Sequence, residues 1–343
     1  MEKEESKEIA LVVARKLASV QEITSLTPLN NDLEIAKILG WQVVVRKGEF
    51  MPNQRVVYFE IDTQLPDWFI EHEMTDYKSK TSIIAGVLSQ GIIKPVACLK
   101  DHENYKLGAD VSEELNVKKY DDDGQLLSVQ ENKEFPIYLV PKTDEPRIQS
   151  EPRYIDIFKG KPYVATVKYD GTSSTFMLDP TNEKNLWVAS RNKLLVKGDK
   201  DPGGHFAIAD KYKIMKKLEL FPNYAIQGEI YGPGLMKNPL NVKDKKLAVF
   251  TIYDLKENRC LDYDEMADAC VKLDLPCVQT FERGVNFDYN LEELLEKSKG
   301  VYEGTENPRE GLVWRLERFW DTPTVRASFK VINDNYLIKK NKK

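Results

Sequence analysis

The chain has 343 residues, which is enough for two domains that each bury a core. Hydrophobic residues make up 41% and charged residues 31%, as in a globular protein, and no apolar run approaches the roughly 20 residues that a membrane-spanning helix needs. The net charge of −5 argues against general affinity for nucleic acid, but residues 1–136 hold 24 acidic against 16 basic side chains and residues 137–343 hold 31 against 34, so the second part can carry a local anion-binding face.

The charged start of the chain, residues 1–8, lacks the apolar segment of a signal peptide. We therefore expect an intracellular protein with no membrane partner. None of the cysteines forms a C-x-x-C pair, and this spacing favours buried free thiols over a zinc site or a disulfide framework. The cysteines are Cys98, Cys260, Cys270 and Cys277.

Short β-branched segments separated by glycine turns occupy the first hundred or so residues. The pattern predicts strands at 17–23, 38–46 and 55–62 and further strand material within 83–95. Short strands with glycine corners are typical of a small closed barrel such as an OB fold, although the pattern alone does not separate an OB fold from other small barrels. We assign residues 1–112 to this OB-type domain.

A polar stretch at residues 113–136 is the predicted linker, and residues 137–343 form the predicted second domain. Strands are predicted there at 163–168, 172–178, 186–190, 224–231, 247–253, 311–316 and 325–332. Helices are predicted at 205–218, 264–273 and 291–297. This mixture indicates an α+β fold with mostly antiparallel strands.

The strand at 163–168 delivers a lysine to its own end. Lys168 and Asp170 lie on one face of an extended chain, and Gly171 permits a close backbone approach. A lysine attacks only as the neutral amine, so a site that uses it must lower its pKa, and a divalent metal is an effective way to do so. We interpret Lys168 as a covalent nucleophile.

Further charged residues lie inside apolar strand segments of the same domain. Glu229 precedes an apolar pair, Glu310 precedes Gly311 and an apolar strand, and Lys330 lies within another apolar run. Charged side chains are rarely buried without a partner, so this set is more suggestive than any single member, each of which is more often a solvated strand residue.

These residues carry a family resemblance. Lys168-Tyr-Asp-Gly171 resembles the K-x-D-G nucleophile motif of the covalent nucleotidyltransferases, which include DNA ligases, RNA ligases and mRNA capping enzymes. The elements that follow occur in the family's order within residues 168–332. They are Ser190-Arg191, Gly228-Glu229, the strand around Phe250, Glu310-Gly311 and the strand around Lys330.

The first domain narrows the resemblance. Segments 40–45, 47–50 and 57–62 resemble the N-terminal OB module of nick-sealing RNA ligases of the Naegleria and Deinococcus type, and segments 88–91 and 147–149 fit the same family. Because 13 residues follow Lys330, we expect no C-terminal OB domain, which counts against a DNA ligase or a capping guanylyltransferase. A catalytically inactive RNA-binding OB protein is the alternative from a different class.

The resemblance implies an ATP-dependent RNA ligase. Lys168 would take AMP from ATP, transfer it to an RNA 5′-phosphate and so allow a 3′-OH to seal the strand. The expected substrate is a nick in a duplex, and the expected oligomeric state is a monomer. A divalent metal, Mg²⁺ or Mn²⁺, would accompany ATP. The implied metal ligands are Asp170, Glu229 and Glu310, and the implied nucleotide contacts are Arg147, Gln149, Lys168, Asp170, Arg191, Glu229, Phe250 and Lys330.

Within these contacts, the resemblance implies that Phe250 stacks on adenine and that Lys330 contacts the α-phosphate. One departure stands out. The family's final strand carries Lys-x-Lys, and this chain has Ser328 in place of the first lysine. Either one cation is missing or Arg326 replaces it.

Overall fold

The computed structural model describes residues 15–65, 67–69, 78–119, 134–318 and 327–341. The charged leader at 1–8, most of the predicted linker and Arg326 lie outside these ranges. The chain is α+β with antiparallel strand ladders, which confirms the predicted fold class. Among the described residues, none of the helices has the length and apolar character needed to cross a bilayer.

The chain divides into two compact units. The described residues of Val13–Ser128, Arg147–Arg153 and Leu337–Lys343 form the first unit, and those of Val129–Pro146 and Tyr154–Tyr336 form the second. The chain thus returns to the first unit after the second has begun. The domain boundaries inferred from sequence, after residues 112 and 136, stay a prediction.

The first unit is built from short antiparallel strands with 3₁₀ turns at Asp67–Phe69, Val96–Cys98 and His102–Asn104. Its strands are β1 Ala18–Glu22, β2 Ser25–Pro28, β3 Leu33–Ile38, β4 Trp41–Arg46, β5 Arg55–Phe59, β6 Thr63–Gln64, β7 Thr81–Ile84, β8 Val87–Gln90, β9 Ile92–Pro95 and β10 Lys118–Lys119. They form sheets with the orders β1-β5-β9, β2-β3-β4, β7-β8 and β10-β6.

The predicted strand at 38–46 is observed from Trp41 to Arg46, and its first residues form a hairpin corner. β3 ends at Ile38 and β4 begins at Trp41, because Leu39 adopts a left-handed conformation with φ of 53° and turns the chain. Along β4, Trp41, Val43 and Val45 are buried and the residues between them are more exposed. This period of two is the signal expected of a strand with one face on a core.

The second unit contains two antiparallel sheets. Their strands are β11 Tyr163–Lys168, β12 Thr172–Asp179, β13 Asn182–Ser190, β14 Tyr224–Tyr231, β15 Lys246–Asp254, β16 Arg259–Cys260, β17 Thr280–Gly284, β18 Gly311–Leu316 and β19 Ser328–Ile332. One sheet has the order β17-β11-β18-β19, and the other has the order β13-β12-β14-β15-β16. Its helices are α1 Tyr154–Phe158, α2 His205–Lys211, α3 Ile214–Leu220, α4 Tyr263–Lys272 and α5 Leu291–Ser298, and α6 Asp334–Asn341 begins in this unit.

The predicted helix at 205–218 is two helices. Lys213 has φ of 51°, a left-handed conformation that ends one helical path and starts another. An apolar stripe at three- and four-residue spacing runs through this break and packs in or against the core of the β13-β12-β14-β15-β16 sheet; it consists of Phe206, Ala209, Tyr212, Met215 and Leu218. The prediction of a single helix is therefore wrong.

Capping residues fix the starts of the last two predicted helices. Asp262 caps α4 and receives a reciprocal contact from Glu265, and Asn290 and Glu293 form the same capping box at α5. Each box satisfies backbone N–H groups that have no partner within the helix. These local signals explain why the sequence locates these helices to within a residue or two.

Candidate active site

The predicted nucleophile lies at the end of a strand, opposite a carboxylate from another strand. β11 ends at Lys168, whose backbone pairs with Gly311 at the start of β18. Glu310, directly before Gly311, accepts a hydrogen bond from Lys168 Nζ at 2.8 Å. The antiparallel register therefore joins two motifs that lie 142 residues apart in sequence.

Two motif glycines lie where a side chain does not fit. A Cβ at Gly171 would lie 2.1 Å from the carbonyl oxygen of Ile230, and a Cβ at Gly311 would lie 2.1 Å from that of Val331. Gly311 also has φ of +153°, which disfavours other residues. These close approaches explain why a glycine follows the carboxylate in both motifs.

Glu229 belongs to the same charge cluster but comes from the other sheet. It lies on β14, where its backbone pairs with Ser173 on β12. Burial raises the pKa of Glu229 to about 8; Lys168 opposes this rise, whereas Glu310 and Asp170 add to it. In this state the carboxyl is mostly protonated at pH 7, and an additional nearby cation would ionise it.

The pKa of Lys168 is set by burial against three carboxylates. Burial lowers this pKa, but Glu310, Glu229 and Asp170 raise it, and the net result is a pKa above the ordinary lysine value. The amine is therefore protonated in this state. It becomes a nucleophile only when the charge of the neighbouring carboxylates is offset and its proton is removed.

Two tyrosines hold this cluster in place. The Tyr302 hydroxyl accepts a hydrogen bond from the backbone N–H of Glu310 at 3.1 Å and donates one to the backbone carbonyl of Lys168 at 3.0 Å. The Tyr336 hydroxyl bonds to the side chain of buried Asp170. Burial raises the pKa of both tyrosines, so both are neutral at physiological pH. Sequence reasoning missed them, because no motif marks either position.

Phe250 lies in a β-bulge of the five-stranded sheet. Val249 pairs with Gly228 and Thr251 pairs with Gln227, so Phe250 is the extra residue of β15. A bulge redirects a side chain from the regular alternation of a strand. Phe250 is half-buried, and its role in stacking on a base stays a prediction.

Arg191 follows β13 and lies near the carboxylate cluster. Its guanidinium forms an ion pair with Asp144, with 3.0 Å between Nε and Oδ2. Its charge also lowers the pKa of Glu229, against the larger effect of burial. The structure thus brings Arg191 within electrostatic range of Glu229.

Lys330 lies on the sheet face that carries Lys168. Lys330 pairs with Val313, which pairs in turn with Thr166, two residues before Lys168. Residues directly opposite each other share a face of a sheet, and so do residues i and i+2. The register therefore places both lysines on one face, as a shared site requires.

Residues 141–146, which sequence analysis left out, connect the two sheets of this unit. The backbone of Pro146 accepts a hydrogen bond from the backbone N–H of Lys330 at 2.8 Å. Other contacts of this segment are those of Pro141 with Gln227, Thr143 with Ser173, Asp144 with Arg191, and Glu145 with Arg315 and Ser328. The segment lacks the periodicity of a helix or strand, so only its side-chain charges give any signal in the sequence.

Arg147 and Gln149 belong to the first unit. Arg147 forms ion pairs with Glu60 at 3.2 Å and with Asp62 at 2.7 Å, and its guanidinium lies 6.0 Å from the ring centroid of Trp41. Gln149 is buried, and its Oε1 has no hydrogen-bond partner among the described residues. Their predicted contact with the nucleotide stays a prediction.

The carboxylates of the cluster can supply some, but not all, of the ligands of a hard divalent cation. No three His, Cys, Asp or Glu side chains of the described residues form a ready-made ligand set. However, the cluster has three acidic groups around one amine, and Glu229 carries a raised pKa, so added positive charge would be favourable there. Mg²⁺ commonly takes one or two protein carboxylates and completes its shell with phosphates and water. The residues present fit that mode.

Comparison with known proteins shows the family of this chain. The family model for RNA ligase matches residues 161–332, which is half of the chain, and an OB-fold domain model matches residues 17–96. No curated protein sequence matches the chain.

Solved structures of Naegleria gruberi RNA ligase are similar to nearly the whole chain. The complex with PPi shares 27% identity, covers 96% of this chain and 99% of that one, and has a TM-score of 0.84. A lysine-to-methionine mutant with AMP and Mn shares 27% identity, covers 96% of this chain and 99% of that one, and has a TM-score of 0.83. A lysine-to-alanine mutant with ATP and Mn shares 27% identity, covers 95% of this chain and 99% of that one, and has a TM-score of 0.83. With its RNA ligase and OB-fold matches, this chain belongs to the RNA ligase family.

Proposed function

We propose that the chain is an ATP-dependent RNA ligase that joins 3′-OH and 5′-phosphate ends through lysyl-AMP and RNA-adenylate intermediates. The observation that carries the proposal is the Lys168–Glu310 contact inside a cluster with excess negative charge. The AMP, ATP, PPi and Mn complexes of the Naegleria enzyme support ATP and a divalent metal as the cofactors of this chain.

In the first step, Lys168 Nζ forms a bond to the α-phosphorus of ATP, and the bond from that phosphorus to the bridging oxygen breaks to release pyrophosphate. Glu310 Oε2, 2.8 Å from Nζ, is placed to accept the proton that the ammonium must lose. A divalent metal held by Glu229 and Glu310 would supply positive charge that offsets both the carboxylates and the phosphoryl oxygens. Lys330 would pair with the α-phosphate.

The second and third steps use the same site. The RNA 5′-phosphate displaces Lys168 from the AMP phosphorus, which returns the amine and leaves an RNA-adenylate. The RNA 3′-OH then attacks the activated 5′-phosphate, and AMP leaves. Phe250 would stack on adenine throughout, while Asp170, held by Tyr336, would contact the ribose or the metal. Arg191 would contact the ribose or the phosphate edge.

We further propose that the enzyme acts inside the cell, as a monomer, on nicks in duplexes. A sealing assay tests the proposed action on nicked duplexes. Nicked duplexes with RNA or DNA on each side of the nick are compared with an unpaired RNA, using ATP and then GTP as the nucleotide. Sealing of RNA 3′-OH ends with ATP is the expected result. Joining only of DNA 3′-OH ends, or use of GTP alone, would contradict the proposal.

A further inference from the structure

Ser328, the position at which the family carries a lysine, is part of a polar cluster. On β19, Ser328 pairs with Arg315 of β18. The Ser328 hydroxyl donates a hydrogen bond to Glu145 Oε2, and Arg315 donates to the other oxygen of the same carboxylate at 2.8 Å. Both Ser328 and Arg315 are buried. The serine therefore has a defined partner, and it is not simply a truncated lysine.

Arg315 also connects the two sheets of the second unit. It projects from β18, next to the strand that carries Lys168, and donates a hydrogen bond to the backbone carbonyl of Phe250 on β15 at 2.8 Å. Its guanidinium carbon lies 5.7 Å from the centroid of the Phe250 ring. One buried side chain thus contacts both the backbone and the ring of the residue in the bulge.

The charges of this cluster argue against a direct phosphate contact. Arg315 is 5% exposed and is neutralised by Glu145, so it offers little free positive charge to a phosphate. A buried arginine whose two terminal nitrogens donate to two different acceptors, here Glu145 and the Phe250 carbonyl, is well suited to hold geometry, because its donors point in fixed directions. What the cluster fixes is the position of Phe250 relative to the sheet of Lys168.

We propose that Arg315, Glu145 and Ser328 form a positioning group that fixes the Phe250 ring as the platform for the nucleotide base. The inference rests on the proposed function, in which Phe250 stacks on adenine. It assigns Ser328 to base binding in this chain, where the family pattern leads one to expect a phosphate contact. A lysine at this position would compete with Arg315 for Glu145.

The test measures binding and does not depend on catalysis. Dissociation constants for AMP and for inorganic tripolyphosphate are measured by calorimetry with Mg²⁺ for wild type, Arg315→Lys and Ser328→Ala. Arg283→Lys is the matched control, because Arg283 pairs with Asp264 on the protein surface. Lys330→Ala is the reference for a phosphate contact.

We expect AMP binding to weaken about tenfold in Arg315→Lys and about fivefold in Ser328→Ala, since each loses a hydrogen bond to a charged group or a fixed carbonyl. Tripolyphosphate binding should stay within about twofold in both, and fall in Lys330→Ala. When combined with Phe250→Ala, Arg315→Lys should add no more than about a twofold further loss, because it acts through the ring. A purely structural role for Arg315 would give additive losses and would weaken both ligands.

Ser328→Lys distinguishes a role of position 328 in base binding from a role in phosphate binding. The inference predicts weaker AMP binding and no gain for tripolyphosphate. Tighter binding of tripolyphosphate by about tenfold or more would make position 328 a phosphate contact and overturn the inference. Unchanged AMP binding in Arg315→Lys and Ser328→Ala would overturn the inference alone, whereas a wild type that binds no AMP would overturn the proposed function as well.

Discussion

Each unit of the chain contains a buried charge cluster, and the two clusters differ in balance. In the first unit, Arg15 and Arg147 face Glu60 and Asp62, with ion pairs of 2.7 to 3.7 Å. In the second unit, one amine, that of Lys168, faces the three carboxylates Asp170, Glu229 and Glu310. Burying a carboxylate costs free energy unless a positive charge lies nearby. The first cluster has one cation for each carboxylate, whereas the second has too few cations for its carboxylates.

The pKa values express this difference. Burial alone would raise the pKa of Asp62, but Arg147 and Arg15 hold it well below its usual range. Burial raises the pKa of Glu229 to about 8, and two neighbouring carboxylates add to the rise. A balanced cluster is a structural element, whereas an unbalanced one has a use for a cation and is the better candidate for chemistry.

The largest stability effect should come from unbalancing the first cluster. Arg147→Met leaves Glu60 and Asp62 with one cation, and we expect the free energy of unfolding to fall by about 3–5 kcal/mol at pH 7. Urea denaturation measures it. The control is Arg191→Met, which breaks a half-exposed pair with Asp144 and should cost no more than about 1 kcal/mol. Equal losses in both variants would contradict the comparison.

Removing the carboxylate of Glu310, the partner of Lys168, should have a comparably large effect on the rate of protein–AMP formation. Glu310→Gln loses the acceptor of Lys168 and one proposed metal ligand, so protein–AMP formation should slow by about 10²–10³-fold. Glu282→Gln is the matched control, because Glu282 pairs with Lys297 at 2.7 Å in the same unit. That variant should retain its rate within about twofold. A rate loss of similar size in both variants would mean that Glu310 has only a structural role.

Glu229 should make stability depend on pH in the opposite sense to Asp62. Its folded pKa lies above its unfolded value of 4.5, so the folded state binds the extra proton and stability falls as pH rises from about 5 to 8. Glu229→Gln should remove this dependence of stability on pH. At pH 8.5 the free energy of unfolding of the variant should exceed that of wild type by about 1–2 kcal/mol. Denaturation at several pH values in metal-free buffer measures it. A slope that persists in the variant would contradict the assignment.

Tyr302 should give the smallest effect. Tyr302→Phe removes the hydroxyl that joins the backbones of Lys168 and Glu310, so the maximal rate of protein–AMP formation should fall about tenfold while KM for ATP stays within about twofold. Stopped-flow or quenched labelling over a range of ATP concentrations separates the two constants. A rise in KM at constant maximal rate would place Tyr302 in nucleotide binding and contradict its positioning role.

The sequence was sufficient to predict the charged residues of the candidate site. It was not sufficient to predict the residues that only hold those charged groups in position. Lys168, Glu229, Glu310 and Lys330 stand out because a charge in an apolar strand is unusual, and the register of the sheets brings Lys168 to Glu310 and places Lys330 on the same face. The Tyr302 hydroxyl contacts two backbone groups, one of them 134 residues away. Such contacts depend on the fold and leave no local pattern.

The same limit applies to the fold. Strands and capped helices were predictable because alternation and capping boxes act over a few residues. The division of the predicted helix at Lys213 was not, because its apolar stripe continues through the break at helical spacing. Glu145 lies in a segment without periodicity, so its contacts with Arg315 and Ser328 emerge only when the two strands are paired.

The central claim is that Lys168 is the covalent nucleophile. The direct measurement is incubation of the chain with α-labelled ATP and Mg²⁺ or Mn²⁺, followed by acid treatment and by mass spectrometry of the labelled peptide. We predict an acid-labile AMP adduct on Lys168 in wild type and none in Lys168→Ala. An adduct that persists in Lys168→Ala, or a wild type that forms none with metal present, would contradict the claim.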